Sequence, residues 1–322
     1  MKKKLSIVMY HYVRELANSR YPGIKGLEYE QFKQQIDFFA THYQVIRMEE
    51  LIACLEEGYE LPENAMLLTF DDGYIDHFTY VFPVLREYKM QGSFFVPGKI
   101  IRKNSLLNVN KTHFLLANTP VEVLVKKLFE MLDFYRDQEG WEIPSNEDLF
   151  QKYAVANRFD NKETIFLKRV LQMALPERLR ILITSELFRK YMDVSETVLA
   201  KELYLNYDQM KEMKRAGMFF GCHGYDHNWM NKMEPKALEK DIDKAIEAMD
   251  GLLDPEKWVI NYPYGSYSET VINCVKVKGA VAGLSTDVGI VENFADLRYK
   301  LPRLDTNDFP PKSENYKILS SL

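Results

Sequence analysis

Cysteine is scarce in this chain. The 322 residues include three cysteines, Cys54, Cys222 and Cys274, which lie far apart in the sequence. Three scattered thiols are too few for a disulfide framework or for a cysteine-rich zinc site. The scarcity argues against the small disulfide-stapled class of secreted domains and is typical of a reducing compartment.

Long hydrophobic runs are also lacking. No stretch approaches the ~20 apolar residues that cross a membrane, and the apolar run at residues 5–10 stops at His11. Residues 1–4 (MKKK) resemble the start of a secretory signal, but such a signal needs an apolar region of ~7–15 residues. We therefore expect a cytoplasmic protein without a membrane span. Contact with a lipid-linked substrate at the inner membrane surface stays open.

An excess of basic charge is absent as well. The chain has 42 Lys and Arg residues against 47 Asp and Glu residues, which gives a net charge of −5. Proteins that bind nucleic acid carry a basic surface, so we expect no nucleic-acid partner. A hydrophobic content of 46% is ample for a core, and the length suits one large domain or two ordinary ones.

Apolar runs and helical patterns alternate along most of the chain. The runs predict strands at residues 5–10, 65–70, 93–96, 218–222, 258–261 and 280–285. Helical periodicity lies between them, at residues 29–43, 48–57, 79–88, 207–216, 234–253 and 268–277. This alternation favours an α/β fold with a parallel sheet. Between residues 104 and 205 only helical patterns occur, as at 121–135, 161–175 and 176–192, which indicates a helical insertion.

Two adjacent carboxylates end one of the predicted strands. Asp71 and Asp72 follow the apolar residues 67–70, and a glycine comes next. Side chains that are neighbours on a strand point to opposite faces, so the two acids are expected to do different work. One can ligate a metal while the other faces the reacting group.

Two histidines lie four residues apart much later in the chain. His223 and His227 share a face if the backbone between them is helical. With one carboxylate they form a three-ligand site that keeps a position for water, as catalytic zinc sites do. Zinc is the first choice for such ligands, and cobalt, nickel or iron(II) are alternatives. A glycosyltransferase or phosphatase that binds magnesium through Asp-Asp is disfavoured, because such sites prefer oxygen ligands.

Three segments in order resemble a known family. Residues 69–73 (TFDDG), 223–227 (HGYDH) and 262–265 (YPYG) are similar to the first three motifs of the polysaccharide deacetylases, also called NodB-like or carbohydrate esterase family 4. The resemblance implies a distorted (β/α)7 barrel, which the helical insertion predicted above would interrupt. It also implies metal-dependent removal of an N-acetyl group from an amino sugar, in a glycan or in its nucleotide- or lipid-linked precursor.

The motifs and the break in the α/β pattern together predict a division of the chain. Residues 1–103 and 206–305 would form the barrel, and 306–322 a C-terminal tail. Residues 104–205 would form a helical insertion beside the barrel mouth that shapes substrate choice.

Residue roles carry over by motif. The resemblance implies Asp71 as the general base, and Asp72, His223 and His227 as metal ligands. It implies that the backbone N–H of Tyr264 helps to hold the oxyanion.

Further positions of this sequence lie in or beside the motifs. The candidates for substrate contact beside them are Tyr74, Tyr225, Asn261 and Pro263.

The chain departs from the family at three places. Gly224 follows the first histidine where Ser or Thr is more common, which is expected to loosen the loop. Asn261 stands where many members carry an arginine that steadies the base, and Arg303 is a second candidate for that task. No histidine follows His227, so the usual C-terminal catalytic histidine is missing.

His11 is the candidate for the missing acid. It ends the first predicted strand, and in a closed barrel the first and last strands lie side by side. The chain resembles a circularly permuted subgroup, the poly-β-1,6-N-acetylglucosamine deacetylases, in which an N-terminal Tyr-His motif supplies the acid. The alternative is a structural histidine. His77, just past the aspartates, is expected to be structural rather than to touch substrate.

Two neighbouring functions stay open at this point. N-deformylation of a formamido sugar would use the same site, and pocket size would decide between the two. A catalytically inactive carbohydrate-binding relative is disfavoured, because both aspartates and both ligand histidines are present.

Overall fold

The computed structural model describes residues 4–103, 105–138 and 140–319. Its described residues form two compact units. One unit draws on the ranges Met1–Glu15, Gly26–Asn104 and Glu202–Leu322, and the other on Leu16–Lys25 and Ser105–Lys201. They are called the barrel unit and the helical unit below.

Strands occur in the barrel unit. In chain order the strands of the described residues are β1 (Leu5–Tyr10), β2 (Val13–Arg14), β3 (Leu27–Glu28), β4 (Gln44–Val45), β5 (Ala65–Asp71), β6 (Gly92–Val96), β7 (Phe219–Cys222), β8 (Trp258–Asn261), β9 (Ala280–Val288) and β10 (Leu301–Asp305). The parallel order β5-β6-β7-β8-β9-β10-β1 closes because β1 also pairs with β5, from Leu5 opposite Ala65 to Tyr10 opposite Phe70. The prediction of a seven-stranded parallel barrel is confirmed.

Helices alternate with the barrel strands along the chain, and the helical unit consists of further helices. In chain order they are α1 (Tyr29–His42), α2 (Met48–Glu57), α3 (Phe82–Glu87), α4 (Gly98–Arg102), α5 (Asn108–Asn118), α6 (Val121–Arg136), α7 (Asn146–Tyr153), α8 (Lys162–Arg169), α9 (Glu177–Tyr191), α10 (Glu196–Leu203), α11 (Tyr207–Arg215), α12 (Pro235–Ala248), α13 (Glu269–Val277), α14 (Phe294–Leu297) and α15 (Asn315–Leu319). Helix α2 ends at Gly58, whose left-handed φ of 72° is the conformation that glycine adopts without strain.

The barrel strands are buried along their length. Every residue of β5 and of β6 is buried, which is why these segments are almost continuously apolar rather than alternating. The polar exceptions in β5 are Thr69 and Asp71, toward its C-terminal end. In β5 the polar side chains therefore lie toward the C-terminal end, whereas β6 has the buried Ser93 near its start.

The last barrel strand contains a proline. Pro302 lies in β10, and the pairing of β10 with β9 shifts register between Leu301 and Arg303. Proline cannot donate a ladder hydrogen bond, so it is tolerated at such an irregularity. The strands predicted from the apolar runs did not include this segment.

The helix predicted over residues 79–88 consists of two parts in the structure. A π-helical turn from His77 to Val81 precedes α3, where the periodicity predicted a single helix over residues 79–88. Pro83 limits the first turn of α3, since its ring removes one backbone donor.

The helical unit has its own apolar core. Buried residues from its helices include Leu124, Leu128, Phe166, Ile183 and Leu187. No strand occurs among its described residues. The segment Leu16–Lys25 belongs to it, and residues 202–205 and the described part of 306–322 belong to the barrel unit.

No described helix combines the length and the hydropathy that a membrane crossing requires.

Candidate active site

The chemistry-bearing residues lie at the C-terminal ends of barrel strands. Asp71 is the last residue of β5, His223 follows β7, and Asn261 is the last residue of β8. His11 follows β1, and Arg303 lies within β10. Parallel barrel strands bring these ends together at one face, where barrel enzymes build their sites.

Asp72, His223 and His227 form a buried three-ligand cluster. Their ligand atoms all lie within 4.8 Å of one another. The Nε2 atoms of His223 and His227 lie 3.4 Å and 3.2 Å from Oδ1 of Asp72. That carboxylate oxygen is buried without a hydrogen-bond partner. An orphaned oxygen that faces two imidazole nitrogens fits a divalent cation with nitrogen and oxygen ligands.

Neighbouring groups prepare these ligands. Nδ1 of His223 donates a hydrogen bond to the carbonyl oxygen of Asn261 at 2.6 Å, which leaves the Nε2 lone pair to face Asp72. The hydroxyl of Tyr74 donates to Oδ2 of Asp72 at 2.5 Å and leaves Oδ1 available. Burial lowers the pKa of His227, which favours the neutral imidazole that a metal requires. Burial alone would raise the pKa of Asp72, but the neighbouring His227 and His223 hold it well below its ordinary value.

A loop, rather than a helix, brings the two histidines together. Residues 223–229 follow β7 without helical structure. The ring centroids of His223 and His227 lie 4.8 Å apart, and the ring planes meet at 73°. His227 has φ = 56° and Asp72 has φ = 72°. Non-glycine residues rarely adopt such values, and they persist where the surroundings impose them, as at functional sites.

Asp241 of α12 ties this loop down. Its buried carboxylate accepts hydrogen bonds from the backbone N–H groups of Tyr225 at 2.8 Å and Asp226 at 3.2 Å. Gly224 has φ = 67°, and a Cβ there would lie 2.9 Å from Met230 Cε and 3.2 Å from Asp241 Oδ2. Glycine therefore suits this turn, and the Asp241 side chain holds the loop through two of its backbone N–H groups.

Arg303 holds Asp71 in a bidentate pair. Its two terminal nitrogens donate to Oδ1 and Oδ2 of Asp71 at 3.0 Å and 2.9 Å. The same guanidinium donates to Thr69 Oγ1, the Ser285 carbonyl oxygen and Asn261 Oδ1. Burial would raise the pKa of Asp71, but Arg303 outweighs it and lowers the pKa to about 2. Asp71 is therefore ionised at neutral pH, with Asn261 supporting the arginine rather than replacing it.

His11 lies close to Asp71, although it follows the first strand of the barrel. Its Nε2 lies 3.8 Å from Oδ2 of Asp71, and its side chain is 39% exposed. It is outside the three-ligand cluster. The pairing of β1 with β10 and β5 places this N-terminal residue beside residues from the C-terminal strand.

The loop after β8 adds an aromatic pair. Tyr264 has φ = 59°, and its ring meets that of His227 edge-on at 4.7 Å. Trp229 stacks on Tyr264 at 4.8 Å and 11°. Ser266 binds both the backbone N–H and the side chain of Asn231, which ties the two loops together. The sequence patterns did not single out Trp229 or Asp241, although Trp229 lies two residues after a ligand.

The other predicted contact residues have distinct surroundings. Tyr74 has no exposed surface and stacks on Tyr12 at 4.0 Å. Asn261 and Pro263 are buried. The ring of Tyr225 is partly exposed and has the Lys244 ammonium 5.3 Å away. Substrate contact by these residues stays a prediction.

Sequence comparison identifies one family. A sequence model described as polysaccharide deacetylase matches residues 58–131 and 185–282, which together make up more than half of the chain. YxkH of Bacillus subtilis strain 168, which is named for the same activity, is 20% identical over 287 residues. The match covers 89% of this chain and 66% of YxkH, so the chain spans just under two thirds of that relative's length.

Solved structures share the fold at low identity. The Streptococcus pyogenes deacetylase PplD, solved with acetate, is 18% identical with a TM-score of 0.59 over 99% of each chain. IcaB from Ammonifex degensii is 16% identical with a TM-score of 0.56 over 96% of this chain and 95% of its own. A de-N-acetylase from Aggregatibacter actinomycetemcomitans is 14% identical with a TM-score of 0.55 over 98% of this chain and 100% of its own. With this fold and a matching family model over more than half of its length, the chain belongs to the polysaccharide deacetylase family.

Proposed function

We propose that this protein is a metal-dependent hydrolase that removes an N-acetyl group from an amino sugar. The observation that carries the proposal is the three-ligand cluster of Asp72, His223 and His227 beside an Asp71 that Arg303 holds ionised. Family membership supports chemistry on a carbohydrate amide.

Asp72, His223 and His227 would hold the cation. When bound, a divalent metal supplies a Lewis acid for the amide carbonyl and lowers the pKa of water. Zinc suits this ligand set first, and cobalt, nickel or iron(II) are the alternatives. Tyr74 and the Asn261 carbonyl orient two of the ligands through the hydrogen bonds described above.

Asp71 acts as the general base. It accepts a proton from the attacking water while the two Arg303 nitrogens keep its carboxylate in one orientation. The buried pair also receives support from Asn261 and Thr69, which hold the guanidinium in place. The backbone N–H of Tyr264 donates to the oxyanion that forms as water adds to the carbonyl.

His11 acts as the general acid. An amine is a poor leaving group until it is protonated, so the reaction needs a proton donor beside the base. The imidazole of His11 lies 3.8 Å from Asp71, is partly exposed, and is separate from the ligand cluster. Its proton passes to the departing nitrogen as the C–N bond breaks.

The substrate is an N-acetylated amino sugar in a glycan or in a nucleotide- or lipid-linked precursor. Trp229 and Tyr264 beside His227 supply ring surfaces of the kind that pack on sugar faces. The metal-loaded protein should therefore release acetate from at least one member of a panel of N-acetylglucosamine oligomers and nucleotide- or lipid-linked amino sugars.

Mass spectrometry of the products tests this proposal, with the Asp71→Asn and His11→Ala proteins as controls. Loss of acetyl from the substrate with wild type, and a much slower loss with both variants, is the expected result. Loss of formyl alone from a parallel formamido panel would assign the protein to N-deformylation. Metal-loaded protein without turnover on any member, or a folded His11→Ala protein with wild-type turnover, would contradict the function or the acid assignment respectively.

A further inference from the structure

His77 is a buried polar residue that the proposed mechanism does not use. Its side chain has no exposed surface and lies among the rings of Phe70, Tyr74 and Phe94, with centroid distances of 5.5–5.7 Å. One ring nitrogen, Nδ1, is buried without a hydrogen-bond partner. The other, Nε2, lies 3.0 Å from the backbone carbonyl oxygen of His11.

That single hydrogen bond fixes the form of the ring. A carbonyl oxygen only accepts, so Nε2 must carry the proton and Nδ1 the lone pair. Burial lowers the pKa of His77 to about 4, in agreement with a neutral imidazole. A leucine or phenylalanine would fill this aromatic surrounding without leaving a buried nitrogen unsatisfied, which is costly. The bond to His11 is therefore what distinguishes histidine from an apolar side chain at this position.

The residues on both sides of His11 are also held. Tyr10 stacks on Phe70 at 4.9 Å, and its hydroxyl donates to Gln35 at 2.9 Å. Tyr12 stacks on Tyr74. The hydrogen bond from His77 to the His11 carbonyl holds the backbone between these two stacked tyrosines.

The local helix geometry brings His77 to this point. His77 is the first residue of the π-helical turn that precedes α3. Such turns are rare and are found often at functional sites.

We propose that His77 is a positioning residue that sets the direction of the His11 side chain toward Asp71 by holding the His11 backbone. The inference rests on the proposed role of His11 as the acid. A small misplacement of a proton donor is enough to slow a reaction, and a displacement of about 1 Å can cost up to ~10²-fold.

Two substitutions separate the hydrogen bond from the filling of space. His77→Phe keeps an aromatic ring but removes the donor, and His77→Gln offers an amide N–H near the position of Nε2. We expect kcat to fall about tenfold to hundredfold in His77→Phe, with KM and bound metal unchanged. His77→Gln should recover most of kcat.

A double-mutant cycle with His11→Ala shows whether His77 acts through His11. Adding His77→Phe to His11→Ala should cause no further loss of kcat, because the group that it positions is gone. Thermal melting and metal content of each protein are measured alongside, so that a variant that fails to fold is recognised. If His77→Phe does not fold, the comparison of His77→Gln with wild type tests the proposal.

Three results would overturn the proposal. They are wild-type kcat in folded His77→Phe, equal losses in folded His77→Phe and His77→Gln, or an undiminished further loss in the His11→Ala background. Wild-type turnover in His11→Ala alone would instead remove the acid assignment on which the inference rests, and the two failures are thereby told apart.

Discussion

The candidate site has two halves that are built in different ways. The proton-transfer half, Asp71, Arg303 and His11, sits on or directly after strands, and a buried bidentate ion pair holds its centre. In the metal half, Asp72 and His223 directly follow β5 and β7, and His227 lies further into the loop after β7. Two of these three residues, Asp72 and His227, have positive φ. The strand half is organised by side-chain hydrogen bonds, and the loop half by strained backbone that other groups tie down.

This difference predicts which property each half should lose when one of its residues is substituted. Removing a charge from the strand half leaves a buried partner charge behind, which is strongly destabilising. The loop half keeps its geometry through backbone anchors such as Asp241 and through the cation that it would bind. Changes in the loop half should therefore appear first in metal affinity, and changes in the strand half in turnover and stability.

The largest effect is expected for His227→Ala. This change removes one of three ligands, so the protein should lose bound metal and fall to background activity. Elemental analysis of wild-type and variant protein, purified in the same buffer, measures the effect. His42→Ala, which changes an exposed histidine of α1, is the matched control. Metal content equal to wild type in His227→Ala would remove the residue from the ligand set.

Asp71→Asn should come next. Removal of a general base typically lowers kcat by ~10²–10⁴-fold, while the metal should stay bound because the ligands are untouched. The variant should also melt earlier than wild type, since Arg303 loses its counter-charge in a buried position. Steady-state kinetics, elemental analysis and thermal melting are compared with Asp72→Asn. Equal loss of metal in the two variants would show that their roles are wrongly divided.

Asp241→Asn should act on metal binding rather than on chemistry. An amide can accept only through its one oxygen, so one of the two backbone hydrogen bonds to the histidine loop is lost. We expect the metal affinity to fall by about tenfold, with kcat at saturating metal close to wild type. Competition with a chelator measures the affinity, and Asp243→Asn on the exposed face of α12 is the control. A fall in kcat at unchanged affinity would mean that Asp241 does not serve the loop.

The last prediction concerns the pH dependence of folding stability. The folded pKa of His77 is lowered to about 4, below the ~6.5 of an unfolded histidine. Between these values the unfolded chain binds a proton that the folded protein does not, so folding stability falls as the pH drops from about 6.5 through 4. The loss should approach about 3 kcal/mol.

Denaturant unfolding at a series of pH values checks the size of this term. In His77→Gln the glutamine does not titrate, so its stability should fall less steeply over this pH range than that of wild type. His42→Gln, at an exposed site, should follow wild type. Parallel curves for wild type and His77→Gln would mean that the buried histidine is not held neutral.

Several elements were within reach of the sequence. The apolar runs pointed to a parallel α/β fold, and the Asp-Asp-Gly turn and the histidine pair pointed to a metal site with two histidines and one carboxylate. The resemblance of three short motifs to one family added the barrel and the assignment of the ligands. The helical stretch was also visible from its periodicity. The expected cytoplasmic location, the substrate and the part played by the helical unit stay predictions, because no local pattern carries them.

The tertiary structure decided which distant residues meet. Arg303 faces Asp71 because it lies in the last barrel strand, where a register shift accommodates the neighbouring proline. A proline in a short apolar run does not by itself indicate a strand. His11 reaches the site because β1 closes the barrel between β10 and β5. Asp241 lies sixteen residues after Tyr225, from whose backbone N–H it accepts a hydrogen bond. Local order follows from the periodicity and chemistry of nearby residues, whereas these contacts depend on strand closure and helix packing, which are properties of the whole fold.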